Sequence, residues 1–203
     1  MTEAFALASF VPKLPVPGKL SPRSVKIVAD CSGSMAGDSI NQALQPINDI
    51  LNQLRPEDYF NIIAFGSSHK AYFAEKKPTD QANITKVRRL LRSIEAVMGG
   101  TEMDQALRAV VQLPGSAILQ DVLLITDGEI WESDELIDTT KRANHRLFTI
   151  GVGSSVSEGF VRRLARETGG ACELVVPHEQ MTEKIVRHFK RIFLPRAENP
   201  AVR

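Results

Sequence analysis

The chain has 203 residues, of which 43% are hydrophobic and 24% charged, a composition typical of a folded globular domain with a full core. The formal net charge is +1, so there is no general attraction to nucleic acid or to an anionic membrane. No apolar run approaches the ~20 residues that span a bilayer, and residues 1–20 lack the pattern of a secretory signal peptide. Both a cytoplasmic and a cell-surface or periplasmic location remain open.

The first 22 residues are predicted to form an extended lead-in, separate from the domain that follows. They contain four of the eleven prolines, and proline fixes the backbone and removes a hydrogen-bond donor. Residues 4–11 are apolar enough for one strand, which would belong to a preceding domain. Residues 196–203 are predicted to be a tail, so the domain itself should cover residues 23–195.

From residue 23 onward, short apolar runs alternate with segments whose apolar residues recur at helical spacing. The predicted strands cover residues 25–29, 59–65, 71–74, 122–125, 147–150 and 173–176. The predicted helices cover residues 40–54, 84–94, 103–111, 134–144, 159–168 and 181–193. This alternation, with several strands apolar on both faces, predicts a parallel sheet covered by helices on both sides. The expected fold is therefore a doubly wound, Rossmann-like α/β domain.

Side chains with oxygen atoms gather at one predicted edge of this sheet. Asp30, Ser32 and Ser34 follow the first strand at intervals of two, Asp127 follows the 122–125 strand, and Thr101 stands in the loop before the third helix. Ligands of doubly wound sheets bind beyond the carboxyl ends of the strands. Two carboxylates and three hydroxyls form a donor set suited to a hard divalent cation, Mg²⁺ in particular. With so few charges around the ion, one coordination position stays open to an outside ligand.

The segments DCSGS, GGT and TDG resemble the metal-ion-dependent adhesion site of von Willebrand factor type A domains. The resemblance implies that Asp30, Ser32, Ser34, Thr101 and Asp127 hold the ion directly or through water, with Mg²⁺ expected and Mn²⁺ or Ca²⁺ as alternatives. It also implies a six-stranded, mostly parallel sheet of order 3-2-1-4-5-6. The implied function is metal-dependent, adhesion-type protein binding without catalysis, in which a partner donates an Asp or Glu carboxylate.

Longer segments resemble one subgroup of this family. SGSMAGDSI, LRPEDYFNIIAF and GGTEMDQAL are similar to the domains of inter-alpha-trypsin inhibitor heavy chains and their bacterial relatives, which carry a β-rich VIT domain just upstream. FALASFVPKLP looks like the last strand and exit linker of such a domain. The resemblance implies a longer protein and a second hypothesis, in which the domain assembles with its neighbours and the metal site is structural or idle.

Three residues beside the predicted site are candidates for contact with a partner. Glu129 and Trp131 follow Asp127, and Met98 lies on the facing loop. Aromatic side chains are enriched at binding hot spots, which favours Trp131. The alternative is that Trp131 folds back over the edge of the sheet.

Simpler or different roles exist for the same residues. Asp30 could cap the turn that follows it, and Thr101 with Asp104 fits a capping box at the start of the third helix. A phosphatase of the haloacid-dehalogenase type would use Asp30 as a nucleophile, but it needs a carboxylate two residues later, where this chain has Ser32. A redox role for Cys31 lacks a resolving cysteine at hand. These alternatives are therefore disfavoured.

The remaining titratable side chains are expected at the surface, since no motif ties them to the site. The basic residues of two helices are predicted to be solvated, because no aromatic residues for base stacking lie among them. These basic residues are Lys86, Arg88, Arg89, Arg92, Lys184, Arg187, Lys190 and Arg191. The histidines are His69, His145, His178 and His188.

Overall fold

The computed structural model describes residues 21–113, 119–128, 134–153, 155–176 and 181–194, without the side chain of Asp38. The predictions for residues 1–20 and for the tail at 196–203 lie outside these ranges. None of the helices in them is both long and apolar enough to cross a membrane.

Seven strands form one sheet, and five of them run parallel. The two short strands pair antiparallel with the second strand. The strands are β1 (Arg23–Asp30), β2 (Tyr59–Phe65), β3 (His69–Ala71), β4 (Lys77–Pro78), β5 (Leu119–Thr126), β6 (His145–Val152) and β7 (Ala171–Val175). The strand predicted at 71–74 begins two residues earlier in the structure, since its exposed polar start carried no apolar signal.

The strand order is β3-β2-β1-β5-β6-β7, with β4 beside β2. Apart from the two-residue β4, which the sequence did not reveal, this is the predicted order 3-2-1-4-5-6. The doubly wound α/β fold is therefore confirmed. Its switch point lies between β1 and β5, where the chain reverses the direction in which it adds strands.

Six helices cover the two faces of the sheet. They are α1 (Asp38–Gln53), α2 (Gln81–Leu91), α3 (Met103–Gln112), α4 (Asp134–Arg142), α5 (Glu158–Glu167) and α6 (Met181–Lys190). One apolar cluster packs α1, α2 and α6 against the sheet, and a second packs α3, α4 and α5 against the other face. All eight residues of β1 are buried, because helices cover both of its faces and strands flank both of its edges.

Two of the four histidines are not at the surface, so that prediction is wrong for them. His145 is 5% exposed and His188 is 1% exposed, while His69 is exposed and His178 lies outside the described ranges. Burial and, to a lesser extent, the positive charge of Arg191 lower the pKa of His188 to about 4. His145 belongs to β6, in which every residue is buried, and His188 lies on the buried face of α6.

His145 helps to bury a lysine in the central strand. The Nδ1 atom of His145 lies 2.8 Å from the carbonyl of Ala143, so it carries the proton and leaves Nε2 to accept from Lys26 at 2.9 Å. The ammonium of Lys26 also donates to the carbonyl of Val110 at 2.7 Å and so caps the end of α3. Burial lowers the pKa of Lys26 to about 8.

A buried ion cluster closes the amino end of the sheet. Asp121 on β5 accepts from Arg23 at 3.1 Å and from Arg146 at 2.7 Å, and none of the three side chains is more than 4% exposed. Arg146 also donates to the carbonyl of Ile192 at 2.7 Å, which fixes the segment after α6. One carboxylate is thus balanced by two guanidinium groups.

We expect Asp121→Asn to lower the free energy of unfolding by about 3–5 kcal/mol, since removing one charge of a buried pair leaves the others uncompensated. The measurement is equilibrium unfolding in urea. Glu135→Gln is the matched control, because Glu135 is 75% exposed in its ion pair with Arg108 and should change stability by less than about 1 kcal/mol. Equal effects of the two substitutions would contradict the role assigned to the cluster.

Candidate functional site

Asp30 ends β1 at the switch point and is held from two sides. Its side chain is fully buried; Oδ1 accepts from the backbone N–H of Ser32 at 2.9 Å, and Oδ2 accepts from the hydroxyl of Thr126 at 2.6 Å. The hydrogen bond from the N–H of Ser32 caps the turn, which is the alternative role predicted for Asp30. It does not compete with ion binding, since each carboxylate oxygen can accept more than one interaction.

A line of hydroxyl groups joins the β1 loop to the end of β5. The hydroxyl of Ser34 donates to Oδ1 of Asp127 at 2.9 Å, and the hydroxyl of Ser32 lies 3.0 Å from that of Ser34. Because Ser34 uses its proton toward Asp127, Ser32 is the donor between the two serines. Ser32 is buried, whereas Ser34 is exposed and Asp127 is half-buried, so the site opens toward solvent.

The third predicted segment reaches the same place. A Cβ atom on Gly128 would lie 3.2 Å from the hydroxyl oxygen of Thr101 and 3.4 Å from Oδ2 of Asp30. The five predicted ligands are therefore brought together at one end of the sheet. The capping-box alternative for Thr101 is wrong, because α3 begins at Met103 with Glu102 in the capping position and no side-chain cap.

The loop that carries Thr101 is fastened to the β1 loop by backbone hydrogen bonds. The N–H of Gly33 donates to the carbonyl of Gly99 at 2.8 Å, and the N–H of Met98 donates to the carbonyl of Cys31 at 3.0 Å. Gly99 has a φ of +78°, a conformation that side chains with a Cβ rarely adopt. The two loops thus form one backbone framework around the hydroxyls.

Two supporting residues were missed by the sequence reasoning. Thr126 positions Asp30 and also accepts from the N–H of Gly128 at 3.1 Å, and Ser67 accepts from the N–H of Gly100 at 2.7 Å. Thr126 is part of the TDG segment, so a hydroxyl directly before the ligand aspartate was an available signal. Ser67 belongs to the turn after β2, and nothing in its local sequence links it to the site.

The proposed rim is only partly described by the structure. Glu129 and Trp131 lie outside the described ranges. Met98 is half-buried and packs against the core cluster that contains α1, so only part of its side chain faces solvent. Its neighbour Val97 is 76% exposed and is the more accessible apolar side chain of this loop.

The electrostatics of the site favour a cation. Burial raises the pKa of Asp127, and the nearby charge of Asp30 adds to this, while the hydrogen bond from Ser34 acts in the opposite direction. Among the described residues neither carboxylate takes part in an ion pair. Within the described ranges no group of three His, Cys, Asp or Glu side chains could hold a metal ion. The predicted site is of a different kind, because three of its five ligands are hydroxyl groups. The donor chemistry fits a hard divalent ion.

Comparison with known proteins establishes the family. The family model of the von Willebrand factor type A domain matches residues 23–174. The chain belongs to the von Willebrand factor type A (vWA) family. A vWA domain-containing protein of Dictyostelium discoideum is 32% identical over 173 residues, which are 84% of this chain and 19% of that protein. The human von Willebrand factor A domain-containing protein 5A is 28% identical over 98% of this chain and 27% of its own length.

Solved structures share the vWA fold. A von Willebrand factor type A protein from Catenulispora acidiphila has a TM-score of 0.74 at 17% identity, covering 85% of this chain and 42% of that chain. Proximal thread matrix protein 1 of the mussel byssus, described with a zinc-occupied MIDAS motif, has a TM-score of 0.71 at 15% identity over 89% of this chain and 48% of its own. The present chain spans about a fifth of the length of several curated relatives. Domains of this family typically mediate protein–protein interaction.

The redox alternative for Cys31 is contradicted by its surroundings. Burial and, to a lesser extent, the negative charge of Asp30 raise the pKa of Cys31 to about 12, and the side chain is fully buried. A reactive cysteine needs both a thiolate and access. We expect native protein to be alkylated at Cys172 before Cys31: burial raises the pKa of both thiols, but Cys172 is only half-buried, whereas Cys31 should react only after unfolding. Mass spectrometry after timed exposure to iodoacetamide measures this, and early modification of Cys31 would refute it.

We expect Gly128→Ala to disturb the site, because the new Cβ would lie 2.8 Å from the methyl group of Thr101 and would push that side chain aside. Overpacking of this kind costs about 1–3 kcal/mol. Gly159→Ala is the control, since its Cβ would meet nothing within 4 Å and its place in α5 predicts a gain of about 0.5–1 kcal/mol. Urea unfolding of both variants measures the difference, and similar stabilities would count against the crowding.

Proposed function

We propose that this vWA domain is a divalent-cation-dependent protein-binding module. Asp30, Ser32, Ser34, Thr101 and Asp127 would hold Mg²⁺, and the open coordination position would accept an Asp or Glu carboxylate from a protein partner. The single observation that carries the proposal is the convergence of these five side chains at the switch point, with the buried Asp30 behind and the exposed Ser34 in front.

The donor set supports Mg²⁺ as the expected ion, with Mn²⁺ and Ca²⁺ as alternatives. All five donors are oxygens, which suit these hard cations, whereas zinc sites in proteins usually include nitrogen or sulfur ligands. The mussel protein with zinc in its MIDAS motif nevertheless makes Zn²⁺ a necessary member of any comparison of ions.

Within this proposal the domain is not an enzyme. The position at which a phosphatase of the haloacid-dehalogenase type carries its general acid is occupied by Ser32, whose hydroxyl is directed to Ser34. A phosphatase activity that disappears in Asp30→Asn would overturn this part of the proposal.

The second candidate function is assembly within a larger protein of the VIT–vWA type, with an idle or structural metal site. One observation favours it: four of the five site side chains are already hydrogen-bonded within the chain, so the loops are organised without an ion; the four are Asp30, Ser32, Ser34 and Asp127. The upstream VIT domain is inferred from the resemblance of residues 5–15 to the end of such a domain.

Thermal unfolding in chelator and in Mg²⁺, Mn²⁺, Ca²⁺ or Zn²⁺ separates the two candidates. An ion at ten times its dissociation constant should add about 1.4 kcal/mol of stability. For a chain of this size that raises Tm by roughly 3–6 °C. Ser34→Ala should abolish the shift while folding normally, because Ser34 is exposed. The control is Ser93→Ala, an exposed serine bonded to the carbonyl of Leu90 away from the site.

A second measurement on the same samples tests the open position. Bound Mn²⁺ with an accessible coordination site should enhance the relaxation of water protons, and a soluble dicarboxylate such as glutarate should reduce that enhancement by displacing water. If no ion shifts Tm in the wild type, the assembly function takes the place of the metal-dependent one. If ions bind but carboxylates leave the relaxation unchanged, the site is structural.

A further inference from the structure

A groove between α1 and α2 has the chemistry of a peptide-binding site. Its volume is about 460 Å³, within the roughly 300–1,000 Å³ common for ligand pockets. We propose that this groove binds an extended acidic segment of a partner protein. The proposal goes beyond the metal-dependent function and does not rest on it, because none of the five predicted ion ligands lines the groove.

The floor of the groove is apolar. It is formed by Leu44 of α1, by Leu91 at the end of α2 and by Ile94 in the segment that follows, each 6–7% exposed. These side chains are part of the core cluster, so the floor is rigid rather than adaptable. A shallow apolar floor of this kind accepts one aliphatic side chain of a bound segment.

One wall of the groove is a row of amide side chains on α1. Asn41, Gln45 and Asn48 are spaced by four and three residues and therefore lie on one face of the helix. Gln45 and Asn48 make no side-chain hydrogen bond within the described part of the chain. Each amide offers both a donor and an acceptor, which is the complement of a peptide group. The row is therefore suited to the backbone of an extended segment.

The other wall is positively charged. Arg88 and Arg92 lie one turn apart at the end of α2, and no acidic residue lines the groove. The Arg88 side chain donates to the neutral carbonyl oxygen of the Asn52 side chain at 2.6 Å, and the side chain of Arg92 makes no ion pair or hydrogen bond within the described residues. Residues four apart on a helix are separated by about 6 Å along its axis. Alternate side chains of an extended peptide are about 6.6 Å apart, so acidic residues at alternate positions match the two arginines.

A second cavity shows that this positive charge is not general to the surface. It lies beside α5 and β7, has a volume of about 580 Å³ and is lined by Arg162, Arg163 and Arg166. Each of these arginines is paired with an acidic residue of the chain at 2.6–3.4 Å. The charge of that cavity is neutralised by acidic residues of the chain. The arginines of the α1/α2 groove form no ion pair within the described residues, so their charge is available to a partner.

Single-stranded nucleic acid is the competing occupant of a basic groove. Such binding uses aromatic side chains on which bases stack, and no aromatic residue lines this groove. The net charge of the chain is only +1, which gives little long-range attraction to a polyanion. The amide row and the apolar floor both favour a peptide.

The test is fluorescence anisotropy with three labelled probes in chelator, so that the candidate metal centre does not contribute. The probes are an octapeptide with glutamate and leucine at alternating positions, the same peptide with glutamine for glutamate, and an oligothymidylate. We expect the glutamate peptide to bind at least about tenfold more tightly than the glutamine peptide at low salt, and to weaken as salt screens the charges. Its addition should shift the side-chain NH₂ signals of Gln45 and Asn48 in NMR spectra.

The double variant Arg88→Gln/Arg92→Gln should lower affinity for the glutamate peptide by about tenfold or more, because charge-assisted hydrogen bonds are lost. Arg162→Gln/Arg166→Gln removes the same charge from the other cavity and should leave the affinity unchanged. Arg92→Gln alone guards against misfolding, since this side chain is exposed and should keep the wild-type Tm. Equal losses in both double variants, equal binding of the two peptides, or tighter arginine-dependent binding of the oligothymidylate would each overturn the proposal.

Discussion

The structure depends on the position of β1 at the centre of the parallel sheet. Its hydrogen-bonding edges are occupied by β2 and β5, and its faces are covered by helices, so every side chain of the strand is buried. The register places Ala29 beside Ile125, which brings the residues that follow β1 next to those that follow β5. Asp30 and Asp127 therefore meet because of backbone pairing, before any interaction between their side chains is considered.

The carboxylates at the two ends of β5 have opposite electrostatic surroundings. At the amino end, the negative charge of Asp121 is compensated within the chain by Arg23 and Arg146. At the carboxyl end, Asp127 is bonded to the hydroxyl of Ser34, and the nearby charge belongs to another carboxylate. Buried charges are stable when they are paired or bound to metal. This asymmetry is the physical reason to look for a cation at one end of the sheet and not at the other.

Much of this arrangement follows from local patterns in the sequence. Apolar runs and helical spacing located the main strands and helices of the described ranges, and the strand-end positions of Asp30 and Asp127 predicted the position of the candidate site. What the patterns could not provide was contact between distant segments. Ser67 supports Gly100 because the turn after β2 lies beside that loop, and the contact between His145 and Lys26 joins residues 119 positions apart in the chain. Exposed polar strands such as β3 carry no apolar signal, so their bounds were misplaced.

Helix α1 connects the candidate metal centre with the α1/α2 groove. It follows the loop with Asp30 and Ser34 directly, and its amide row forms one wall of the groove beside α2. In the two proposals both surfaces would select negative charge, but with different sensitivity to salt. Exposed guanidinium groups are screened at physiological ionic strength, whereas an ion held beside the buried Asp30 would be screened much less. For a partner that bound both surfaces, the groove would therefore mainly raise the association rate and set the preferred sequence. The ion would mainly lower the dissociation rate of the complex.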